Sequence, residues 1–446
     1  MASEALSARE SEIHSKPAQK KLSPGPGRLR KEVAAHQLTR IHRALIDVVA
    51  EQGYKALKIR DVVSRAEVST RAFYELFGSK DDCFLYSYDR LTRRATRQML
   101  AAQAGEPDWR RRASLIFDEF ARQTAQDPKG ARLVLIDVYR ADSACADRAW
   151  HAQRAFEEVL GECLARAPQG VTLPRLIVEG IVAGIAGVAR DCLASGRPAV
   201  LQGQKGEIVG WALRYADSST VELAALDGGS VWRDTMLESP SVRPIPSKGL
   251  RERAGRDYAL ILKRTAELAA KNGYSALTVE RIRTEANVSR REFRAHFDDV
   301  EACYIAAFEQ RTEEAMAQAA RAQAAARTWA GGIYRAITAY WDQVSGDPFL
   351  AQAFLSRDFP TGSPGARSRK RIMKAVADQL VESIPYDKRP SGLELEASMH
   401  ADWALFQHHL SPKGSSRRNL SATLAYLLLA PAIGSRAALF EIANEQ

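Results

Sequence analysis

Cysteine is scarce in this chain, and its spacing argues against the structural classes that depend on it. The five cysteines among 446 residues, at positions 83, 145, 163, 192 and 303, form no CxxC pair and no ligand cluster. A disulfide framework or a zinc ribbon is therefore not expected. The thiols are predicted to be small core residues of a protein from a reducing compartment.

Long apolar runs are also missing. The longest, LIVEGIVAGIAGVAR at 176–190, contains Glu179 and falls short of the roughly 20 residues that a bilayer requires. Residues 1–34 are polar, basic and rich in Pro and Gly, without the apolar segment of a signal peptide. We therefore expect a cytoplasmic protein without a membrane partner.

Catalytic sequence patterns are absent as well. The chain contains no GxSxG, Walker, GxGxxG or HExxH pattern. The pair His408–His409 has no carboxylate or cysteine at ligand spacing along the sequence, so no metal site is expected there. The sequence therefore predicts no catalytic residues, no cofactor and no metal, and disfavours an enzyme.

The composition that is present favours a helical protein with a polyanionic partner. A length of 446 residues exceeds one ordinary core, so two or more domains are expected. Ala and Leu are abundant and alternating apolar runs are scarce, which indicates an all-α fold. The net charge of +10 favours nucleic acid or another polyanion without naming it.

The chain contains two copies of one sequence segment. VSTRAFYELFGSKDDC at 68–83 returns as VSRREFRAHFDDVEAC at 288–303, and EQGYKAL at 51–57 returns as KNGYSAL at 271–277. The shift of 220 positions also superposes Trp109 on Trp329 and Asp127–Pro128 on Asp347–Pro348. Because this period far exceeds that of a solenoid, the sequence predicts a duplicated domain.

Each copy begins with a three-helix pattern. In the first copy, helix one carries an apolar face and stops at Gly53, and a short second helix runs from Ile59 to Ala66. Glu67 and Val68 turn the chain, and Ser69 is a suitable N-cap for a third helix. Two short helices joined by a tight turn and supported by a first helix are a helix-turn-helix headpiece.

This headpiece resembles that of the tetracycline-repressor (TetR) family of bacterial transcription regulators. The resemblance lies in GYKALKIRDVVSRAEVSTRAFYELFGSKDDCF at 53–84, and the second copy follows the same layout. It implies two tandem copies of a helix-turn-helix headpiece and a helical-bundle regulatory and dimerisation domain. The expected divisions are a basic flexible tail (1–34), a first headpiece (35–91), a first regulatory domain (92–216), a linker (217–254), a second headpiece (255–311) and a second regulatory domain (312–446).

The resemblance implies a DNA-binding surface on the first headpiece. Thr70 and Arg71, after the cap Ser69, lead the helix that would enter the major groove, where arginine suits guanine. Tyr74 and Lys80 match positions that the family uses on phosphates. Two cations that open the second helix are also expected to face the DNA backbone, namely Lys58 and Arg60.

The second headpiece departs from the family pattern. Val300 stands in place of Lys80, and acidic residues follow the third helix. In its favour, Thr278 is a proper cap for the second helix, and three arginines crowd the third, namely Arg290, Arg291 and Arg294. We expect these residues to contact DNA, although a degenerate headpiece kept for packing remains the alternative.

The regulatory regions are predicted as helices near 110–126, 130–165, 172–195 and 204–215, repeated near 330–345, 347–384, 393–410 and 418–440. Gly180, Gly184 and Gly187 are spaced for close helix contact. In the family the last two long helices form a four-helix dimer interface and a small-molecule effector binds among the helices. The resemblance therefore implies an effector, of apolar character and unknown identity, and either an intramolecular pseudo-dimer or a homodimer.

The interpretation favoured by these features is a transcription regulator, most simply a repressor, that binds double-stranded DNA and releases it on binding an effector. The alternative is an interaction protein on a repressor scaffold, in which the second headpiece no longer binds DNA. The salt dependence of duplex binding distinguishes the two, since only phosphate neutralisation predicts a steep one.

Overall fold

The computed structural model describes residues 30–141, 143–166, 173–217, 223, 226, 255–355, 364–410 and 420–446, and these contain helices but no β-strand. The all-α fold class is thereby confirmed. Among the described residues, the first copy forms ten α-helices: α1 (Arg30–Gln52), α2 (Ile59–Ala66), α3 (Thr70–Tyr74), α4 (Lys80–Ala102), α5 (Trp109–Gln126), α6 (Pro128–Leu135), α7 (Ser143–Leu164), α8 (Arg175–Ala194), α9 (Val200–Gly203) and α10 (Lys205–Arg214).

The second copy repeats this order. Its described helices are α11 (Arg256–Asn272), α12 (Val279–Ala286), α13 (Arg290–His296), α14 (Val300–Ala324), α15 (Trp329–Gly346), α16 (Pro348–Leu355), α17 (Pro364–Glu382), α18 (Gly392–Leu410), α19 (Leu420–Ile433) and α20 (Ser435–Glu445). The helix pairs α2/α12, α5/α15 and α6/α16 begin and end at equivalent positions of the repeat. The duplication seen in the sequence is therefore a duplication of structure.

The first of two compact units contains the first headpiece and residues 132–148. Its core is an apolar layer in which Leu45 on α1 and Phe73 on α3 are buried. Each such side chain contributes about 1.5–3 kcal/mol on burial. Arg148 donates a hydrogen bond of 2.9 Å to Asp89 on α4. Residues 132–148, which the sequence assigned to the regulatory domain, therefore belong with the headpiece.

The second compact unit contains residues 92–131 and 149–446, and within it the two regulatory regions pack together. The helices α8 and α18 form its most extensive helix pair, and α10 and α19 pack beside them. Asp191 near the end of α8 contacts His400, whereas Glu179 near its start lies by His409 at the end of α18. The two equivalent helices therefore cross in antiparallel directions.

Three predicted helices are interrupted. The helix expected over 130–165 is divided into α6, a 3-10 turn at Asp137–Arg140 and α7. The helix expected over 418–440 breaks at Gly434, whose φ of +83° is incompatible with a right-handed helix. Within the residues expected to form one helix over 347–384, the described part contains two helices, α16 and α17. Pro364 opens α17, a position where the missing N–H of proline costs nothing. The other five predicted regulatory helices are confirmed within a few residues.

The predicted tail and linker fall mostly outside the described residues. The helix α1 begins at Arg30, so residues 30–34 are helical although the sequence assigned them to the tail (1–34). Beyond Asp217, the described positions of the linker (217–254) are Leu223 and Leu226, and both are buried. None of the described helices is long and apolar enough to cross a membrane.

Candidate functional site

The turn between α2 and α3 determines how α3 is presented. Glu67 adopts a left-handed backbone conformation with φ of +47°, which is unfavourable for a residue with a side chain. Arg40 on α1 offsets this cost, because it donates hydrogen bonds to the Glu67 carbonyl at 3.3 Å and to its carboxylate at 2.9 Å. The predicted cap is confirmed: the Ser69 hydroxyl accepts a hydrogen bond of 3.0 Å from the Ala72 amide.

The helix α3 buries one face and exposes the residues predicted to meet DNA. Phe73 is buried, whereas Thr70, Arg71 and Tyr74 are exposed. The Arg71 side chain, 90% exposed, forms an ion pair of 3.1 Å with Glu75, one helical turn further on. An exposed pair of this kind is weak, so Arg71 remains free to exchange Glu75 for another acceptor. This intrahelical competitor was missed by the sequence interpretation.

Three further predicted cations lie at helix starts on either side of α3. Lys58 is the N-cap residue of α2 and is exposed, and Arg60 on its first turn is exposed beside Asp61. Lys80 begins α4, and its amine lies 4.9 Å from the centre of the Tyr54 ring. Because unpaired backbone N–H groups also point outwards at helix starts, these positions combine two kinds of phosphate donor.

The second headpiece uses its polar residues partly for capping. The Thr278 hydroxyl accepts a hydrogen bond of 3.2 Å from the Arg281 amide at the start of α12, as predicted. Ser289 and Glu292 form a complete capping box at the start of α13. These hydrogen bonds lower the pKa of the Glu292 carboxyl and keep the carboxylate at the helix start.

The arginines on α13 have different neighbours from Arg71 on α3. Arg290, Arg291 and Arg294 are all exposed. Ala295 stands at the position equivalent to Glu75, so Arg291 has no acid one turn further on. The helix α13 therefore presents Arg291 without an acidic partner equivalent to Glu75.

The acid that follows α13 has a structural role. Asp299 is the N-cap of α14, and its carboxylate accepts a hydrogen bond of 2.8 Å from the Ala302 amide. Val300 takes the place that Lys80 holds in the first copy. The amine that we predict to contact phosphate in the first headpiece is thus replaced by an apolar side chain beside a capping carboxylate.

The interface between the two copies depends on small residues of α8, as the glycine spacing predicted. A Cβ atom on Gly184 would lie 2.6 Å from the Ala397 carbonyl oxygen and 2.6 Å from the Trp211 ring. A Cβ atom on Gly187 would overlap His400. Only glycine at these positions lets α8 and α18 approach so closely.

Two hydrogen bonds and an ion pair also cross this interface. They join Trp211 Nε1 to Ser398 Oγ at 3.0 Å, Tyr215 Oη to the Leu427 carbonyl at 2.8 Å, and the Arg214 guanidinium to Glu394 at 2.5 Å. The rings of Trp211 and Tyr215 are fully buried, and burial raises the pKa of Tyr215 well above its ordinary value. The helices that the family resemblance assigned to dimerisation therefore pair within this chain.

Two groups of histidine and carboxylate side chains lie on the same interface, and sequence spacing revealed neither. No carboxylate lies at ligand spacing from His408–His409 along the sequence, and no metal site was expected there, but α8 of the other copy brings Glu179 to them. Sequence separation cannot show this contact, which requires the pairing of the two copies. The groups are Glu179, His408 and His409, which are largely buried, and Asp191, Glu396 and His400, which are more exposed.

An open cleft of about 500 Å³ lies beside the second headpiece, within the second unit. It is bounded by α11, α14 and α15 and by the start of α16. Its charged lining residues are Glu267, Arg311, Asp342 and Asp347. These charged residues suit the apolar effector implied by the family resemblance poorly.

Comparison with known proteins gives matches in both headpieces. The family model of bacterial regulatory proteins of the tetR family matches residues 41–86 and again residues 261–307. A search of curated protein sequences gives no match.

Three solved structures resemble part of the chain. The fatty acid degradation regulator FadR from Bacillus halodurans is 17% identical, with a TM-score of 0.37 over 39% of this chain and 97% of that one. FadR from Bacillus subtilis, solved with stearoyl-CoA, is 14% identical, with a TM-score of 0.36 over 39% and 96%. A TetR-like regulator from Rhodococcus sp. RHA1 is 18% identical, with a TM-score of 0.35 over 42% and 98%.

Proposed function

The chain belongs to the tetR family of bacterial regulatory proteins and is a DNA-binding regulator with a duplicated domain, and we propose that it represses transcription from an operator with two unlike half-sites. One chain carries two headpieces whose apolar frame is the same and whose exposed residues differ. Two different recognition helices require two different base sequences.

The observation that carries this proposal is the exposed leading face of α3. A capped helix with Thr70, Arg71 and Tyr74 exposed is suited to the major groove, and arginine is the side chain that best grips guanine. Lys58, Arg60 and Lys80 supply the surrounding phosphate contacts, which fix position without reading sequence. Thr278, Arg290, Arg291 and Arg294 take the corresponding part in the second headpiece.

We expect substitution of Arg71 and substitution of Lys80 to weaken DNA binding in different ways. Arg71→Ala should weaken binding at one base position, by about 1–3 kcal/mol, because it removes a base contact. Lys80→Ala should weaken binding to all duplexes alike and reduce the slope of log affinity against log salt by about one, because it removes a phosphate contact. Fluorescence anisotropy with the operator and with scrambled duplex, over a salt series, measures both.

The matched control is Arg65→Ala. Arg65 is an arginine of the same headpiece whose guanidinium is held by Glu51 at 2.7 Å. Its loss removes the same charge and should leave the ratio of specific to random affinity unchanged. Equal losses for operator and random duplex in the Arg71 variant would contradict its assignment to a base edge.

We further propose that a small-molecule effector bound in a regulatory domain releases the operator. The support is thermodynamic linkage: a ligand that prefers one arrangement of the headpieces must weaken binding to DNA that requires the other. A ligand found by thermal-shift screening is then tested for its effect on operator affinity. A ligand that binds a regulatory domain and leaves operator affinity unchanged would contradict the proposal for that ligand.

The alternative is an interaction protein whose second headpiece no longer contacts DNA. The caps and the buried core of α12 and α13 would be kept in that case, whereas three exposed arginines on α13 have no packing purpose. We therefore favour DNA contact by both headpieces. A role in repression also implies a cytoplasmic location and no enzymatic activity.

A further inference from the structure

A buried histidine–carboxylate cluster lies where α8 of the first copy meets the end of α18. Glu179 is 3% exposed and His409 is 6% exposed, and His408 is partly buried beside them. One ligand atom from each of the three lies within 4.8 Å of the others. The cluster thus joins residues far apart in sequence at the contact between the two copies.

The polar atoms of this cluster are poorly satisfied. Glu179 Oε1 and both ring nitrogens of His409 are buried and accept or donate no hydrogen bond among the described residues. The shortest approach between these two side chains is 3.7 Å from His409 Nε2 to Glu179 Oε1. Buried polar groups without partners are costly, about 1–3 kcal/mol each, and native proteins rarely retain several together without a ligand.

A second buried carboxylate, on α7, interacts with the cluster through its charge. Glu157 on α7 is 7% exposed, and its pKa is raised to about 7, first by burial and then by the charge of Glu179. Arg154 and Arg175 are the cations whose charges act on Glu157 and His408.

We propose that Glu179, His408 and His409 bind a divalent transition-metal ion of the zinc class, with a water molecule as the fourth ligand. Imidazole nitrogen and carboxylate oxygen are the ligands that zinc takes, at about 2.0–2.2 Å. Tetrahedral ligands at that distance lie about 3.4 Å apart, so modest side-chain rotations within the observed 4.8 Å would close the site.

The site would tie the two copies of the chain together. Glu179 belongs to the first copy, whereas His408 and His409 belong to the second. The ion would therefore stabilise the pairing of α8 with α18 and would leave the contacts of either headpiece untouched. This inference is independent of the proposed DNA function and is tested on the protein alone.

The test is titration of metal-free full-length protein with Zn²⁺ and, as a spectroscopic probe, Co²⁺. We expect one equivalent to bind per chain, the visible absorption bands of four-coordinate Co²⁺, and a higher unfolding temperature with Zn²⁺. Glu179→Gln and His409→Gln should each weaken Zn²⁺ binding by at least about tenfold, because loss even of an outer partner commonly costs that much.

The matched control is the double variant Asp191→Asn with His400→Gln. It changes the other histidine–carboxylate group of the same helix pair, where His400 Nε2 lies 2.8 Å from Asp191, and should retain Zn²⁺ binding. If Glu179→Gln does not fold, as judged by helical circular dichroism without metal, His408→Gln replaces it, since that side chain is only partly buried. Absence of Zn²⁺ binding, or binding lost only in the control, would overturn the proposal.

Discussion

A variant with Arg290→Ala and Arg291→Ala is expected to bind the operator at least about thirtyfold more weakly than the unchanged protein. Both arginines are exposed at the N-terminal end of α13, the end that would face base edges if α13 enters the major groove as proposed. A guanidinium that grips guanine contributes about 1–3 kcal/mol, so loss of two costs about 2 kcal/mol or more. Competition between operator and random duplex measures the loss.

The control for this variant removes the same charge elsewhere on the second copy. Arg321 and Arg327 are exposed, and Arg321 lies about 30 Å along α14 from the end that adjoins the headpiece. Arg321→Ala with Arg327→Ala should weaken operator and random duplex slightly and equally. If the two double variants lose operator affinity to the same extent, α13 does not read bases.

The same prediction has a consequence for the binding site. Selection from a random duplex pool should yield two unlike half-sites, about 34–36 Å apart, bound by a single chain. The competing arrangement is a dimer of chains whose first headpieces read a palindrome. Mass measurement of the free protein and of its complex separates the two. A palindrome bound by two chains, with affinity insensitive to the α13 arginines, would exclude the intramolecular pseudo-dimer.

Gly184→Ala is expected to destabilise the protein by about 1–3 kcal/mol, although alanine is normally the better helix former. The added methyl group would lie 2.6 Å from the Ala397 carbonyl oxygen, which belongs to the backbone of α18 and cannot rotate away. The helices α8 and α18 must then separate, which also disturbs the hydrogen bond from Trp211 to Ser398. Chemical denaturation followed by circular dichroism measures the change.

Gly210→Ala is the matched control on a neighbouring helix of the same interface region. Gly210 lies inside α10, is exposed, and has no atom within 4 Å of the position that a Cβ would take. Alanine there should stabilise the protein by about 0.5–1 kcal/mol, because glycine is the poorer helix former. If the two substitutions change the free energy of unfolding in opposite directions, packing is the cause. If Gly184→Ala leaves that free energy unchanged, α8 and α18 do not touch as described.

Much of the headpiece was predictable from local sequence. The bounds of α2, the N-caps Ser69 and Thr278, and the end of the first helix at Gly53 were all confirmed, because each depends on residues within one helical turn. The repeat of 220 positions also predicted that the second copy would follow the first. The exposure of Arg71 followed from the burial of Phe73 beside it.

Interruptions in the long regulatory helices were not predictable in the same way. At the 3-10 turn that interrupts the helix predicted over 130–165, Asp137 is buried and forms an ion pair of 3.3 Å with Arg132. The periodicity of apolar residues does not show this interruption, because the helical spacing continues on both sides of the turn. Gly434 did carry a signal, as an isolated glycine within an apolar stretch, but the helix predicted over 418–440 ran through it and was wrong there.

The sequence alone established a duplicated helical protein with two headpieces, because apolar spacing, caps and repeats are properties of neighbouring residues. Only the tertiary structure decided which faces meet. It brought Gly184 against Ala397, Trp211 against Ser398 and Glu179 against His409, across the boundary between the copies. These contacts depend on the antiparallel crossing of α8 and α18, and the crossing is determined by how closely their small residues let two backbones approach.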